Sequence, residues 1–102
     1  MSKLWLFTAI CTAAFVYEGL SAQGLSPVEA GEMLYDEHCS SCHGEKLRSS
    51  GAIPDLRALG AGDRPRFDKI VAEGKDQMPS WEGVIDAMGM DQLWAYIRSR
   101  AR

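Results

Sequence analysis

Cys39-Ser40-Ser41-Cys42-His43-Gly44 places two thiols and an imidazole within five residues of one another. A thiol–disulfide oxidoreductase also carries two cysteines two residues apart, but it embeds them among strands and helices. No alternating strand pattern flanks this pair. A structural zinc needs four ligands folded around a tetrahedron. Here His38, Cys39, Cys42 and His43 crowd into one short run with no second cluster elsewhere.

The third reading is covalent attachment of haem, for which Cys-x-x-Cys-His is the recognised signature. Two sulfurs three positions apart reach the two vinyl-derived carbons along one edge of the macrocycle, and the next residue brings its imidazole under the iron. Cys39 and Cys42 are then the tethers and His43 the proximal ligand. A low-spin electron carrier takes methionine or histidine as its sixth ligand. His38 is the only other histidine, and it shares one short segment with His43, so the chain cannot easily carry it to the opposite haem face.

Met33, Met78, Met88 and Met90 remain. Met33 fits the apolar side of a first helix, and Met88 and Met90 lie where an apolar residue can staple a last one. Met78 follows Gly74 and a polar run and precedes Pro79, which stiffens the loop and disfavours helix at Met78. A methionine is more often core filler than ligand, but beside a haem signature Met78 is the expected sixth ligand.

Outward from this segment the pattern is helical. Ser26-Pro27-Val28-Glu29 reads as a helix start, with Ser26 as cap, Pro27 at the first helical position and Glu29 completing a capping box. Val28, Met33, Leu34 and Tyr35 can share the buried side of this helix. Gly31, a poor helix former, is either a point of close approach or merely tolerated. Residues 44–66 are rich in Gly, Ser, Pro and Arg and read as loop, of a length that suits wrapping a ligand. Asp63 and Pro65 open a short helix through Phe67, Ile70 and Val71 that ends at Gly74. A weaker apolar segment spans 84–88. A last helix starts near Gly89 or Met90 and carries Leu93, Trp94, Tyr96 and Ile97, with Arg98, Arg100 and Arg102 suiting its negative end.

The start of the chain reads as a secretory leader over residues 1–22. Met1 to Lys3 give a positive start, Leu4 to Tyr17 an apolar run of about 14 residues, and Ser21 and Ala22 a small-residue cleavage site. The run falls short of the roughly 20 residues that span a bilayer, so an uncleaved anchor is the weaker reading. Cys11 lies within that run and leaves with it. The domain is expected over 23–102, about 80 residues, a size at which a hydrophobic core alone barely holds a fold. A bound prosthetic group supplies the missing apolar surface.

The 102-residue chain has a formal net charge of -3 at pH 7. This makes nucleic acid an unsuitable partner, and a mild acidic balance suits a docking partner that carries basic groups.

With these residues in place, the mature chain resembles the class I c-type cytochromes from end to end. The resemblance rests on Tyr35 ahead of Cys39-Ser-Ser-Cys42-His43-Gly44, on Pro54-Asp55-Leu56, on Gly74 with Met78-Pro79-Ser80-Trp81, and on Leu93-Trp94-Ala95-Tyr96-Ile97. It implies an all-α fold of three to five helices around one covalently attached haem c with its iron. Its first and last helices would cross where Gly31 and Tyr35 meet Tyr96. It also implies that the Pro54 carbonyl accepts the proton on the far imidazole nitrogen of His43, fixing the ring as such outer groups do. Trp81 would pack beside a haem propionate, with Arg48, Arg57 and Arg64 as candidate propionate partners. More narrowly, residues 51–57, 67–74 and the Met-Pro-Ser-Trp run are similar to the haem domain fused to quinohaemoprotein alcohol dehydrogenases, here without a dehydrogenase portion.

The function expected from this reading is one-electron transfer by a monomeric, soluble carrier, periplasmic or secreted, and not an enzyme. Its partners would be redox proteins: a quinone-cofactor dehydrogenase as donor and an oxidase or another cytochrome as acceptor, without stable membrane insertion. The rival is a haem enzyme or gas sensor with a displaceable sixth ligand, but no distal acid or base is evident for it.

Overall fold

The computed structural model describes residues 24–102. The expected leader and its cleavage site lie outside the described residues. Four α-helices form the fold: α1 (Pro27–His38), α2 (Ser40–His43), α3 (Arg64–Glu73) and α4 (Ala87–Ser99). Single 3-10 turns at Glu45–Leu47, Leu56–Ala58 and Ala61–Asp63 punctuate the long loop. No strand occurs among the described residues, where the sole β-type pairing is an isolated bridge between Lys75 and Met78. No helix among them is long and apolar enough to cross a membrane.

The capping box at the start of α1 forms as its sequence dictates. The Glu29 backbone N–H donates to Ser26 Oγ at 3.1 Å, and the Ser26 N–H donates to the Glu29 carboxylate at 3.2 Å. These bonds satisfy two of the donors that a helix start leaves open. α4 begins earlier than its apolar spacing suggests. Asp86 caps it by accepting from the Gly89 N–H at 2.7 Å, which draws Ala87 and Met88 into the first turn.

α1 and α4 cross at Gly31. A Cβ there would stand 2.6 Å from the Gln92 carbonyl carbon and 2.9 Å from Tyr96 Cβ, closer than packed carbons approach, so the crossing requires glycine. The tolerated-glycine reading is thereby set aside. One turn on, the Tyr35 and Tyr96 rings meet with centroids 5.4 Å apart at 50°, a favourable tilted geometry. The crossing is the one that the cytochrome resemblance implies.

Tyr35, Leu47, Leu93, Tyr96 and Ile97 form the most deeply buried part of the core, each 2% exposed or less. Cys39, Phe67, Val71 and Ile85 extend it. α3 joins through Phe67, whose ring lies 5.1 Å from that of Trp94. Two apolar residues do not take the expected side of α1: Met33 is 60% exposed and Val28 38% exposed, leaving Leu34 and Tyr35 to face inward. At 3.6 residues per turn, the stripe centred on Gly31 and Tyr35 places Val28 at its edge and Met33 outside it. Met88 is likewise exposed, at 68%, whereas Met90 packs against the core.

Candidate haem site

The cysteine segment lies at the bend between α1 and α2. α1 ends at His38, Cys39 serves as its C-cap, and the chain at once winds the single turn 40–43. Short-range bonds define that turn: the His43 N–H donates to the Cys39 carbonyl at 2.9 Å, and the Gly44 N–H to the Ser40 carbonyl at 2.8 Å. Ser40 Oγ donates to the Asp36 carbonyl at 2.8 Å, tying the turn back onto α1. The far end is held by the buried Tyr35, whose hydroxyl donates to the Gly44 carbonyl at 2.5 Å.

Within this frame the Cys39 side chain is buried, that of Cys42 is exposed, and no disulfide joins them. Burial, and secondarily the neighbouring Cys42, pushes the Cys39 thiol up to about 11. A redox-active cysteine pair depends on a depressed thiol pKa, so this environment opposes the oxidoreductase reading. The zinc reading fails as well, since no group of three or more His, Cys, Asp or Glu side chains among the described residues is placed to hold a metal ion.

The His43 imidazole is half-buried, and burial lowers its pKa below the usual histidine value, which favours the neutral ring that a metal ligand requires. Its Nδ1 is buried and has no hydrogen-bond partner among the described residues. The bond to the Pro54 carbonyl implied by the resemblance is therefore not formed here. An orphaned buried ring nitrogen calls for a reason. The segment brings two cysteines and a half-buried imidazole biased toward its neutral form into one short turn, the set of groups that attachment of haem needs, so the residues fit the group.

Met78 sits on a reverse turn clamped at both ends. The Lys75 N–H donates to the Met78 carbonyl at 3.0 Å and the Met78 N–H to the Lys75 carbonyl at 2.9 Å. The turn folds back on the end of α3 through Gly74, whose φ of 80° favours glycine. A Cβ there would also stand 2.6 Å from the Met78 carbonyl oxygen and 2.9 Å from the Ser80 nitrogen. Ser80 Oγ donates to the Ala72 carbonyl, and the Trp81 N–H to the Val71 carbonyl at 2.9 Å. Met78 is thus a half-buried thioether on a fixed loop that packs against the core.

The side chains expected beside a propionate have the following partners among the described residues. Trp81 lies against His38, ring centroids 4.9 Å apart at 52°, which places it beside the first cysteine. Arg57 grips Asp55, with Nε and Nη2 each donating at 3.0 Å. Arg64 donates to Asp68 at 2.7 Å and Asp91 at 2.6 Å and lies over the Trp94 ring, 5.9 Å from its centroid. Of the three arginines considered for propionates, Arg48 alone has no carboxylate partner among the described residues. The Asp55 clasp escaped the sequence reading because a spacing of two residues in a loop carries no periodic signal. The His38–Trp81 contact joins residues too far apart in the chain for any local pattern.

The family model described as cytochrome c oxidase, cbb3-type, subunit III matches residues 26–97. Cytochrome c-555 of Methylococcus capsulatus is 32% identical over 87% of this chain and 79% of its own length. Quinohemoprotein alcohol dehydrogenase ADH IIB of Pseudomonas putida is 38% identical over 72% of this chain, which spans only 11% of that enzyme. The solved structure of the related ADHIIG from Pseudomonas putida superimposes with a TM-score of 0.66 and 37% identity over 74% of this chain and 11% of the other. The chain belongs to the cytochrome c family as a domain of the cbb3 subunit III type, a family whose members hold haem c and its iron by covalent bonds.

Proposed function

We propose that the protein is a soluble, monomeric one-electron carrier of the periplasm or the secreted space, released from its leader over residues 1–22. Cys39 and Cys42 would hold the haem as thioethers, with His43 and Met78 as the residues that would bind its iron. The haem supplies an iron that alternates between ferrous and ferric. What supports the reading is a cysteine–histidine segment hydrogen-bonded from Asp36 to Gly44 and, separately, a methionine loop bonded to the end of α3.

The chain's own part is to keep two unlike donors in place. The bonds of 40–43 fix the backbone that carries His43, and burial biases its ring toward the neutral form. If one ring nitrogen bound iron, the other would carry a proton to donate; Nδ1 is unpaired here, so the Pro54 carbonyl would accept it only after the loop shifts. The Lys75–Met78 clamp limits how far the thioether can move, so little rearrangement accompanies electron transfer. Methionine ligation raises the potential relative to a bis-histidine site. Trp81 shields the approach beside Cys39 by packing on His38. If His43 and Met78 both bound iron, no position would be left for a substrate, which suits a carrier better than an enzyme.

The resemblance to dehydrogenase haem domains supports a separate quinone-cofactor dehydrogenase as electron donor, with an oxidase or another cytochrome as acceptor. The test is a reductive titration of the haem-loaded protein with and without carbon monoxide. A reversible one-electron curve unaffected by carbon monoxide is expected. Tight carbon monoxide binding to the reduced protein would favour a sensor or enzyme with a displaceable distal ligand.

A further inference from the structure

Five of the chain's 11 Lys and Arg side chains, Lys46, Arg48, Arg57, Arg100 and Arg102, line one cleft of about 290 Å³ together with Ser99. The chain as a whole is negative, so its charge is segregated, with a local positive field that net charge conceals. Three separate stretches build the cleft: the turn 45–48, the turn around Arg57 and the end of α4. The Arg102 N–H donates to the Arg57 carbonyl at 3.0 Å and joins the last two.

The first stretch adopts costly backbone to reach its place. Lys46 and Leu47 both have positive φ, 53° and 66°, a conformation that is unfavourable for a residue with a Cβ. It turns Leu47 into the core and leaves Lys46 and Arg48 on the surface. Nearby carboxylates answer only part of the charge. Asp55 occupies the fork of Arg57, and Glu32 lies 3.8 Å from Arg100. Glu45 neighbours Lys46 in the chain, yet Lys46, Arg48 and Arg102 have no ion-pair partner among the described residues.

We propose that this cleft is a docking surface for a carboxylate-rich segment of a partner protein. A small anion would need donors converging from a buried shell, but the shielded Arg57 is already engaged by Asp55 and the unpaired cations are exposed. An extended acidic segment can meet Lys46, Arg48 and Arg102 in turn, and its charges would steer encounter as well as hold it. This reverses the expectation, drawn from net charge, of a basic partner. The surface does not depend on which side chains bind iron, because its test reads binding and not electron transfer.

The test follows fluorescence anisotropy of a labelled poly-glutamate peptide with the haem-loaded protein at low and physiological salt. The double variant Lys46→Glu with Arg102→Glu is compared with Arg66→Glu plus Lys69→Glu, an equal charge change on α3. Salt-sensitive binding that the cleft variant weakens at least about tenfold, and the α3 variant by less than about threefold, is expected. All four positions are exposed, and matched thermal melts check that the variants fold. Equal losses in both variants, or no binding by the native protein, would overturn the proposal. Displacement of the peptide by stoichiometric inorganic phosphate would instead mark a small-anion pocket and also overturn it.

Discussion

The Tyr35 hydroxyl and the Gly44 carbonyl, 2.5 Å apart, connect the core of the α1–α4 crossing to the far end of the cysteine segment. Tyr35 is fully buried, so its polar group has no access to solvent as an alternative partner. Tyr35→Phe leaves the Gly44 carbonyl short of a donor at a cost of about 1–3 kcal/mol. A lowered melting temperature in differential scanning calorimetry is expected; an unchanged one would mean that the bond does not hold the segment.

The glycine at the helix crossing sets two effects against each other. Gly31→Ala gains about 1 kcal/mol of helix propensity. Overpacking against the Gln92 backbone and Tyr96 costs typically about 1–3 kcal/mol and, with backbone as the obstacle, falls at the upper end. Net destabilisation is expected in urea melts, whereas Gly62→Ala, which meets nothing within 4 Å, stays within about 1 kcal/mol of the native protein.

Acid sensitivity has an identifiable contributor in Asp55. Hydrogen bonds from the Arg57 side chain and N–H hold its carboxyl below the usual carboxylate range. A folded-state pKa below the unfolded value of about 3.9 gives stability that is present above that pH and lost as pH falls through the folded value. The stability gap between the native protein and Asp55→Asn should therefore be constant from neutral pH down to about pH 5 and shrink below about pH 4. Urea melts at both ends of that range measure it; a gap that widens in acid would contradict the assignment.

Arg64 ties α3 to α4 by bonding Asp68 and Asp91 while lying over Trp94. Its ion pairs are partly exposed and so contribute modestly, giving Arg64→Ala an expected cost of about 1 kcal/mol. Part of that cost should persist in high salt, because contact with the indole is less screened than the surface pairs. A penalty abolished entirely by salt would assign the effect to the carboxylates alone.

Local rules of the chain carried much of this structure. Ser26 and Glu29 announced the start of α1, and Gly31 with Tyr96 marked the crossing once the cytochrome pattern was in view. The start of α4 was less legible because its first two residues, Ala87 and Met88, are exposed and are set by the Asp86 cap, not by an apolar period. Val28 and Met33 misled because an apolar side chain does not by itself say which way it faces. Arg57 seemed free for a ligand because Asp55 lies at a loop spacing of two residues, and Arg64 because Asp91 is 27 residues away, although Asp68 at the helical i,i+4 spacing was open to view. The basic cleft was hidden for the same reason: net charge sums over the chain, whereas the fold collects cations from three distant stretches.

The most direct measurement is the far-red absorbance of the oxidised, haem-loaded protein, which reports an iron–thioether bond. The native protein should show the band, Met78→Ala should lose it, and Met33→Ala and Met90→Ala should keep it. A band that survives in Met78→Ala, or disappears in Met90→Ala, would contradict the placement of iron between His43 and Met78.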